Sequence, residues 1–236
     1  MFKNKTFLAI IPARGGSKRL PCKNVLDLKG KPLIAWSIEA GLKSKYIDEV
    51  MVTTDDDEII EIAKTFKANV PFKRPNFLAS DHATRSEVIR HTIEFYEQEF
   101  NKKFDYVVFL QPTSPLRNAK HIDESIEYMF VKKCDAIVSV CEVDHPIHWS
   151  GALPEDKNMS KFLDNLSVRL RSQDLPKNYR LNGAIYICNA QNFLDEGCVF
   201  LKENIFAFEM PQELSVDIDN EIDFKFAEFM MEQKKC

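Results

Sequence analysis

Residues 7–24 place an apolar run directly in front of a loop that is rich in glycine and cations. The run from Phe7 to Ile11 is typical of a buried strand, and it stops at Pro12. The loop that follows reads Ala-Arg-Gly-Gly-Ser-Lys-Arg-Leu-Pro-Cys-Lys-Asn. Anionic ligands bind at the carboxyl ends of strands in open α/β folds, and glycine lets a phosphate approach the main chain. This stretch therefore predicts a triphosphate-binding loop.

The spacing excludes two common phosphate-binding loops. A Walker A loop ends in Gly-Lys-Ser/Thr, whereas Ser17-Lys18-Arg19 stands here. A dinucleotide-binding fingerprint needs three glycines at G-x-G-x-x-G spacing, which Gly15 and Gly16 do not supply. From spacing alone, a solvated surface loop remains the alternative.

Charge is distributed unevenly along the chain. The formal net charge over 236 residues is −4, so no global basic field would recruit nucleic acid. Residues 14–31 nevertheless carry six cations and a single anion, Asp27. A local cationic region on an acidic protein indicates a small anionic substrate.

Length and residue usage suggest one domain over residues 1–236, since a chain this long can bury one substantial core. The six cysteines show no C-x-x-C spacing, which favours free thiols over a disulfide framework or a zinc site. No apolar run approaches the roughly 20 residues of a membrane span. We therefore expect no membrane partner and a cytoplasmic protein.

Strand-like and helix-like patterns alternate along much of the chain, which predicts an α/β fold with a doubly wound, mostly parallel sheet. The strand-like runs after the first are Glu49–Thr53, Tyr106–Leu110, Ala136–Cys141, Gly183–Asn189 and Ile205–Glu209. Helical periodicity covers 33–43, 58–67, 85–100, a stretch containing Ile122 to Phe130, and 221–233. The apolar positions expected on buried helix faces include Leu42, Phe100, Ile222, Phe226, Phe229 and Met230.

Two loops of the chain are stiffened by proline. Arg74 lies between Pro71 and Pro75. Its side chain is either held in place by the stiffened loop or solvated on a linker, and the sequence favours neither alternative. Gln111 opens the segment Gln-Pro-Thr-Ser-Pro-Leu-Arg, where the Tyr106–Leu110 strand passes into the ligand crevice.

Asp217 and Asp219 form a pair of carboxylates near the end of the chain. On an extended chain, residues two apart face the same side, so both would point to one place while Val216 and Ile218 are buried. Magnesium typically takes one or two carboxylates together with substrate phosphates. Capping of the last helix is the alternative, stronger for Asp219 than for Asp217.

Residues 144–177 break the periodicity of the chain. No long helix pattern occurs there, so we expect a small excursion inserted into the sheet. An exposed Trp149 within it would suit a subunit interface.

In this order the motifs resemble those of the acylneuraminate cytidylyltransferases, also called CMP-sialic acid synthetases, over nearly the whole chain. The resemblance implies a Rossmann-like nucleotidyltransferase fold. Five landmarks carry it: Ile11–Lys18 running to Lys23-Asn24, Arg74-Pro75 with Leu78–Asp81, Gln111–Arg117, Arg180–Tyr186 and Asp217–Asp219.

The resemblance also implies roles for individual positions. The triphosphate of CTP would lie on Ala13, Arg14, Gly15, Gly16, Ser17, Lys18, Lys23 and Asn24, and Lys18, Arg14 and Asp219 would take part in catalysis. Cytosine and ribose would contact Arg74, Ser80, Asp81 and Ala83. The sugar acid would contact Gln111, Gln173, Arg180 and Asn182, and Mg²⁺ would bind Asp217 and Asp219.

In this family the segment matching residues 144–177 mediates dimerisation and leans over the partner's active site. The resemblance thus implies a homodimer, with Gln173 acting either in its own subunit or across the dimer. Two residues depart from the family pattern. Arg19 replaces a frequent glycine, and Arg85 stands where some relatives carry a small hydroxyl residue near the base.

The implied reaction joins CTP to a nine-carbon 2-keto sugar acid and releases pyrophosphate, as in nonulosonic acid biosynthesis for cell-surface polysaccharides. Which acid is used (sialic, legionaminic or pseudaminic) stays open. One alternative is an enzyme acting on 3-deoxy-manno-octulosonate, because Arg19–Lys23 approaches that enzyme's Arg-Leu-Pro-Gly-Lys pattern. The pair Lys23-Asn24 and the Gln111 loop favour the nine-carbon acid. The other alternative, a non-catalytic nucleotide-binding protein, would not require paired carboxylates.

Overall fold

A single mixed sheet forms the centre of the computed structural model, which describes residues 1–164 and 175–233. Its six strands are ordered β2-β1-β3-β5-β4-β6. They are β1 (Phe7–Pro12), β2 (Glu49–Thr53), β3 (Tyr106–Phe109), β4 (Ala136–Glu142), β5 (Tyr179–Asn189) and β6 (Ile205–Glu209).

Strand direction confirms the prediction of a mostly parallel sheet. β1 runs parallel to β2 and β3, and β4 runs parallel to β6. β5 is antiparallel to both of its neighbours, β3 and β4. The carboxyl ends of β1, β2 and β3 therefore meet at one edge, where the loop after Pro12 begins.

Helices cover both faces of the sheet. They are α1 (Leu33–Lys43), α2 (Asp57–Thr65), α3 (Arg85–Phe100), α4 (Ala119–Lys132), α5 (Met159–Asp164), α6 (Ala190–Glu196) and α7 (Glu221–Gln233). Helices α1, α2 and α4 pack on one face, and α3 and α6 on the other. In β1, Phe7, Ala9 and Ile11 enter the first of these cores while Leu8 and Ile10 enter the second, as the period of two requires.

Some positions that were expected to be buried are exposed. Leu42 is 45% exposed, and Phe100 is 54% exposed because it ends α3, where its ring packs on Phe95 and Tyr96. In α7, Ile222, Phe226 and Phe229 are 78%, 50% and 51% exposed. This helix buries Ala227 and Met231 against Leu28, Leu33 and Leu116, so its contact face is displaced from the predicted one.

The excursion lies between β4 and β5. Its described part contains a 3₁₀ turn at Ile147–Trp149 and the short helix α5. Ile147, Trp149 and Leu153 are 53%, 39% and 60% exposed. Gln173 lies outside the described residues. Within the described residues, no helix has the length and apolar character needed to traverse a bilayer.

Candidate active site

The loop after β1 is held by hydrogen bonds to its surroundings. The Ala13 amide donates to the Thr53 carbonyl at 3.0 Å, which continues the pairing of β1 with β2. The side chain of Asn24 is buried and donates to the carbonyl of Arg14 at 3.1 Å. Ser17 donates its amide to the Gly15 carbonyl at 2.9 Å, which closes the turn. These bonds present the loop's cations at the carboxyl edge of the sheet.

Gly15 and Gly16 have different surroundings. A Cβ at Gly15 would collide with the carboxylate of Asp56, whereas nothing lies within 4 Å of a Cβ at Gly16. Asp56 caps α2 by accepting a bond from the Ile59 amide at 3.1 Å. At Gly15 the space that a phosphate was expected to approach is thus filled by Asp56. At Gly16 the corresponding space is open.

Four cations of the loop pair with two carboxylates. Arg14 contacts Asp81 at 2.8 Å, and Lys18 pairs with the same carboxylate. Arg19 contacts Asp219 at 2.9 Å, and Lys23 lies 3.6 Å from it. The bonds to Lys18 and Arg14 hold the pKa of Asp81 below its ordinary value.

Asp217 and Asp219 flank a buried residue, which is the alternation of burial that the sequence predicts. Ile218 between them is fully buried, while both aspartates are partly exposed. Burial raises the pKa of Asp217. The Lys23 ammonium donates to the Ile218 carbonyl at 2.5 Å, which places the loop directly beside the pair. Burial lowers the pKa of Lys23, and the two aspartates oppose that shift.

The pair fits the donor set of a hard divalent cation. No cluster of three or more acidic, histidine or cysteine ligands occurs in the described part of the chain. Two carboxylates beside a cationic loop are, however, what magnesium uses when substrate phosphates complete its coordination. Asp217 and Asp219 are therefore the residues that could hold it.

Gln111 follows β3 and faces the same cleft. A Cβ on Gly183 would lie 3.2 Å from Nε2 of Gln111 and 3.5 Å from a carboxylate oxygen of Asp217, so the three positions converge. A cavity of about 390 Å³ opens between the loop and Gln111. Arg14, Lys18, Lys23, Asn24, Gln111 and Asp219 are among the residues that line it.

Arg74 is held in place, which settles the choice that its sequence left open. Its side chain is 5% exposed, and it donates to the Thr53 hydroxyl at 3.0 Å and to the Thr53 carbonyl. Burial lowers its pKa to about 10, against the attraction of Asp55, so the guanidinium stays charged at neutral pH.

The segment of Ser80, Asp81 and Ala83 forms a turn before α3. Ser80 donates its hydroxyl to the Phe77 carbonyl at 3.0 Å, and the Ala83 amide donates to the Ser80 carbonyl at 3.2 Å. Through the ion pairs of Asp81, this turn lies against Arg14 and Lys18. The predicted triphosphate and base-side residues are thus adjacent.

Asn182 and Arg180 occupy different environments. The Asn182 side chain is 1% exposed and is engaged by the Ser139 hydroxyl, the Ser215 hydroxyl and the Ala184 amide. Its geometry supports the neighbouring backbone rather than presenting a free amide to the cleft. Arg180 is exposed, donates to the Ser215 carbonyl at 3.3 Å and lines a cavity that also contains Asp217.

Sequence reasoning missed the part played by Arg117. Its side chain is 1% exposed and donates to the Ser37 hydroxyl at 2.7 Å and to the Gln111 carbonyl at 3.2 Å. Burial lowers its pKa to about 9, so it remains a cation at neutral pH. It thereby holds the main chain of the loop that presents Gln111. A buried arginine cannot be told from a surface arginine by its sequence position alone.

Comparison with known proteins assigns the chain to a family. The cytidylyltransferase family model matches residues 8–235. The chain belongs to the cytidylyltransferase family. It is 38% identical to the pseudaminic acid cytidylyltransferase of Campylobacter jejuni over 94% of this chain and 95% of the relative. It is 35% identical to the CMP-N,N'-diacetyllegionaminic acid synthase of Legionella pneumophila over 95% and 96% of the two chains.

A third relative is longer. The N-acylneuraminate cytidylyltransferase of Escherichia coli is 37% identical over 97% of this chain, but the match spans only 52% of that protein. Among solved structures, a CMP:2-keto-3-deoxy-manno-octonic acid synthetase complexed with CTP has a TM-score of 0.68 at 19% identity, with 97% and 99% of the two chains covered. At this identity the likeness shows the nucleotidyltransferase fold alone.

Proposed function

We propose that this cytidylyltransferase transfers CMP from CTP to a nine-carbon 2-keto sugar acid of the sialic, legionaminic or pseudaminic type. Support comes from the relatives named above, which are aligned over nearly the whole of this chain and act on acids of that class by name. The observation that carries the proposal is the position of the loop cations opposite Asp217 and Asp219, with Gln111 beside them.

In the proposed reaction the anomeric hydroxyl oxygen attacks the α-phosphorus of CTP. The bond between the α-phosphorus and the bridging oxygen breaks, pyrophosphate leaves, and the hydroxyl proton passes to solvent. Phosphoryl transfer depends mainly on positioning and on neutralising charge. Lys18 and Arg14 would exchange Asp81 for phosphate oxygens, and Gln111 and Arg180 would orient the acid.

We further propose Mg²⁺ as the cofactor, held by Asp217 and Asp219 together with phosphate oxygens. When bound, the cation would neutralise phosphate charge and lower the pKa of the attacking hydroxyl. Lys23 and Arg19 pair with Asp219, and the charge of Asp217 also attracts Lys23. The proposal places the enzyme in the cytoplasm, because CTP is made there, and takes the active form to be a homodimer.

Pyrophosphate release tests the proposal. Purified protein is incubated with CTP, Mg²⁺ and one acid at a time from a panel of N-acetylneuraminate, legionaminate, pseudaminate and 3-deoxy-manno-octulosonate. We expect turnover on one of the three nine-carbon acids and its loss on chelation of the metal. Turnover on the octulosonate alone would instead establish the eight-carbon alternative.

Two lysine variants test the proposed role of Lys18 in the same assay. Lys18→Ala removes a cation that faces the cavity, and we expect turnover to fall by about 10²–10³, as for other single electrostatic donors. Lys64→Ala removes an exposed lysine that pairs with Glu61 on α2, and it should leave turnover unchanged. Full activity of Lys18→Ala with CTP bound would remove Lys18 from the proposed chemistry.

A further inference from the structure

Arg85 is stacked on aromatic rings at the carboxyl edge of the sheet. Its guanidinium carbon lies 4.6 Å from the ring centroid of Tyr186, 5.4 Å from that of Phe109 and 5.8 Å from that of Phe200. Phe109 ends β3 and pairs directly with Tyr186 of β5. Arg85 is the first residue of α3, so its side chain crosses from the helix start to the sheet.

The stacked guanidinium reaches the Gln111 side of the cleft. Gln111 is two residues beyond Phe109, which puts its side chain on the same face of the extended chain. Burial raises the pKa of Tyr186, while the positive charge of Arg85 and the polar side chain of Gln111 oppose that rise. Arg85 and Gln111 thus both lie near Tyr186.

This guanidinium retains unused donors. Among the described residues, the arginines that form ion pairs are Arg14, Arg19 and Arg90, and Arg85 is not one of them. A guanidinium that stacks on a ring by its face keeps its N–H groups in the plane around its edge. With the face of the guanidinium on Tyr186, these N–H groups can reach an acceptor in the cleft.

We propose that Arg85 is a specificity-determining residue that donates to the carbonyl oxygen of an acylamino substituent on the sugar acid. The inference rests on the proposed function and refines it by assigning a substituent to a residue. An amide carbonyl fits because it offers a planar acceptor to the edge of the guanidinium, and the rings beneath it offer an apolar surface to the acyl group. The family resemblance placed position 85 near the base, whereas the side chain extends towards Tyr186 and Gln111.

Arg85→Met and Arg85→Lys test this assignment. Methionine keeps the apolar stem without donors, and lysine keeps the charge without the planar fork. The KM values for the acid and for CTP are measured separately, with the preferred acid of the wild type and with a deoxy analogue in which hydrogen replaces the acylamino group. We expect Arg85→Met to raise the KM of the acylated acid about tenfold or more, as for loss of a charged hydrogen bond, with kcat and the KM of CTP nearly unchanged.

The uncharged deoxy analogue isolates the contact. Wild type should lose about tenfold in kcat/KM when the acyl group is absent, whereas Arg85→Met should lose little, because the partner of the carbonyl is already missing. Arg85→Lys should lie between the two. Arg90→Met is the matched control, since Arg90 also lies on α3 and stacks on a ring, that of Phe193, and it bonds to the Leu194 carbonyl. Arg90→Met should behave as wild type in both assays.

Three results would overturn the inference. A rise in the KM of CTP that matches the rise for the acid would assign Arg85 to the nucleotide. Equal losses on the acylated acid and the deoxy analogue would give Arg85 a merely structural role, and wild-type kinetics for Arg85→Met would remove Arg85 from substrate recognition. Silence of the wild type on every acid is a different result, because it refutes the proposed function and removes the basis of the inference with it.

Discussion

Gly15 and Gly16 are neighbours in the sequence but have different structural requirements. A side chain at Gly15 would displace the Asp56 carboxylate that caps α2, whereas a side chain at Gly16 would enter open space. The two glycines of this motif therefore have different roles, one in folding stability and one in ligand binding. Gly15 joins the loop to α2, and Gly16 leaves room for a ligand.

We predict that Gly15→Ala lowers the free energy of unfolding by about 1–3 kcal/mol, the usual range for overpacking. Gly16→Ala is the control and should leave that free energy within about 0.5 kcal/mol of wild type. Urea denaturation measures both, and a CTP titration of Gly16→Ala shows whether phosphate uses the open space. Equal stability of the two variants would contradict the assigned contact with Asp56.

Individual side-chain roles were only partly predictable from the sequence. Asp56 and Asp57 stand side by side at the start of α2, and Asp56 is the cap because its carboxylate reaches the Ile59 amide. The loop cations were recognised, but their partners Asp81 and Asp219 were not, since pairing depends on how separate loops meet. The burial of Arg117 was missed for the same reason.

At the scale of secondary-structure elements, Asp105 joins the amino ends of β1 and β3. It accepts hydrogen bonds from the Lys5 ammonium at 2.7 Å and from the Thr6 amide and hydroxyl, each at 2.9 Å. Partial burial acts to raise the pKa of Asp105, and the bonds from Lys5 and Thr6 outweigh it, so the pKa is lowered. The ionised carboxylate is thus the form that the folded state favours.

The sign of this shift predicts a pH effect. Since the folded-state pKa lies below the unfolded one, the stabilisation is present above about pH 4 and is lost as the pH falls through the folded-state value. We expect Asp105→Asn to lose about 2 kcal/mol of unfolding free energy at pH 7 and much less near pH 2. Glu61→Gln, which breaks an exposed pair with Lys64, should change stability little at either pH. Denaturation at both pH values distinguishes these outcomes, and a pH-independent loss would contradict the assignment.

Element positions were more predictable than element directions. The bounds of β2, β6, α1 and α3 agree with their periodic patterns, because a period of two or of 3.6 is visible in the sequence. The reversed direction of β5 was not predicted. A central strand that is buried on both faces has the same apolar composition whichever way it runs.

For the whole molecule, the excursion between β4 and β5 is the surface on which we expect two copies to associate. Its described part exposes Ile147, Trp149 and Leu153, which a single subunit leaves in water. A dimer that covers them would bury apolar side chains of the type enriched at interfaces. The family resemblance points to the same segment.

We predict that the wild type sediments as a dimer and that Leu153→Glu shifts it towards monomer. A charge in an apolar interface lacks a partner once water is excluded. Val131→Glu is the control, since Val131 is 76% exposed on α4, away from the excursion, and it should leave the dimer intact. A monomeric wild type at micromolar concentration would contradict this prediction.

The pairing of loop cations with Asp81 and Asp219 has a consequence for which anions can enter. The loop carries internal counter-ions, so an incoming anion must replace carboxylates instead of meeting bare charge. An ion such as orthophosphate or sulfate, which contacts only one of the two carboxylate sites, would displace one carboxylate. It would gain little binding free energy, because the ion pairs of the other carboxylate stay intact. In the proposed reaction a triphosphate would span both pairs at once, and the divalent cation arriving with it would bind Asp219 as that carboxylate is released. On this proposal the ion pairs would discriminate by ligand length and valence, and the binding of CTP should depend on ionic strength less steeply than the number of cations alone would suggest.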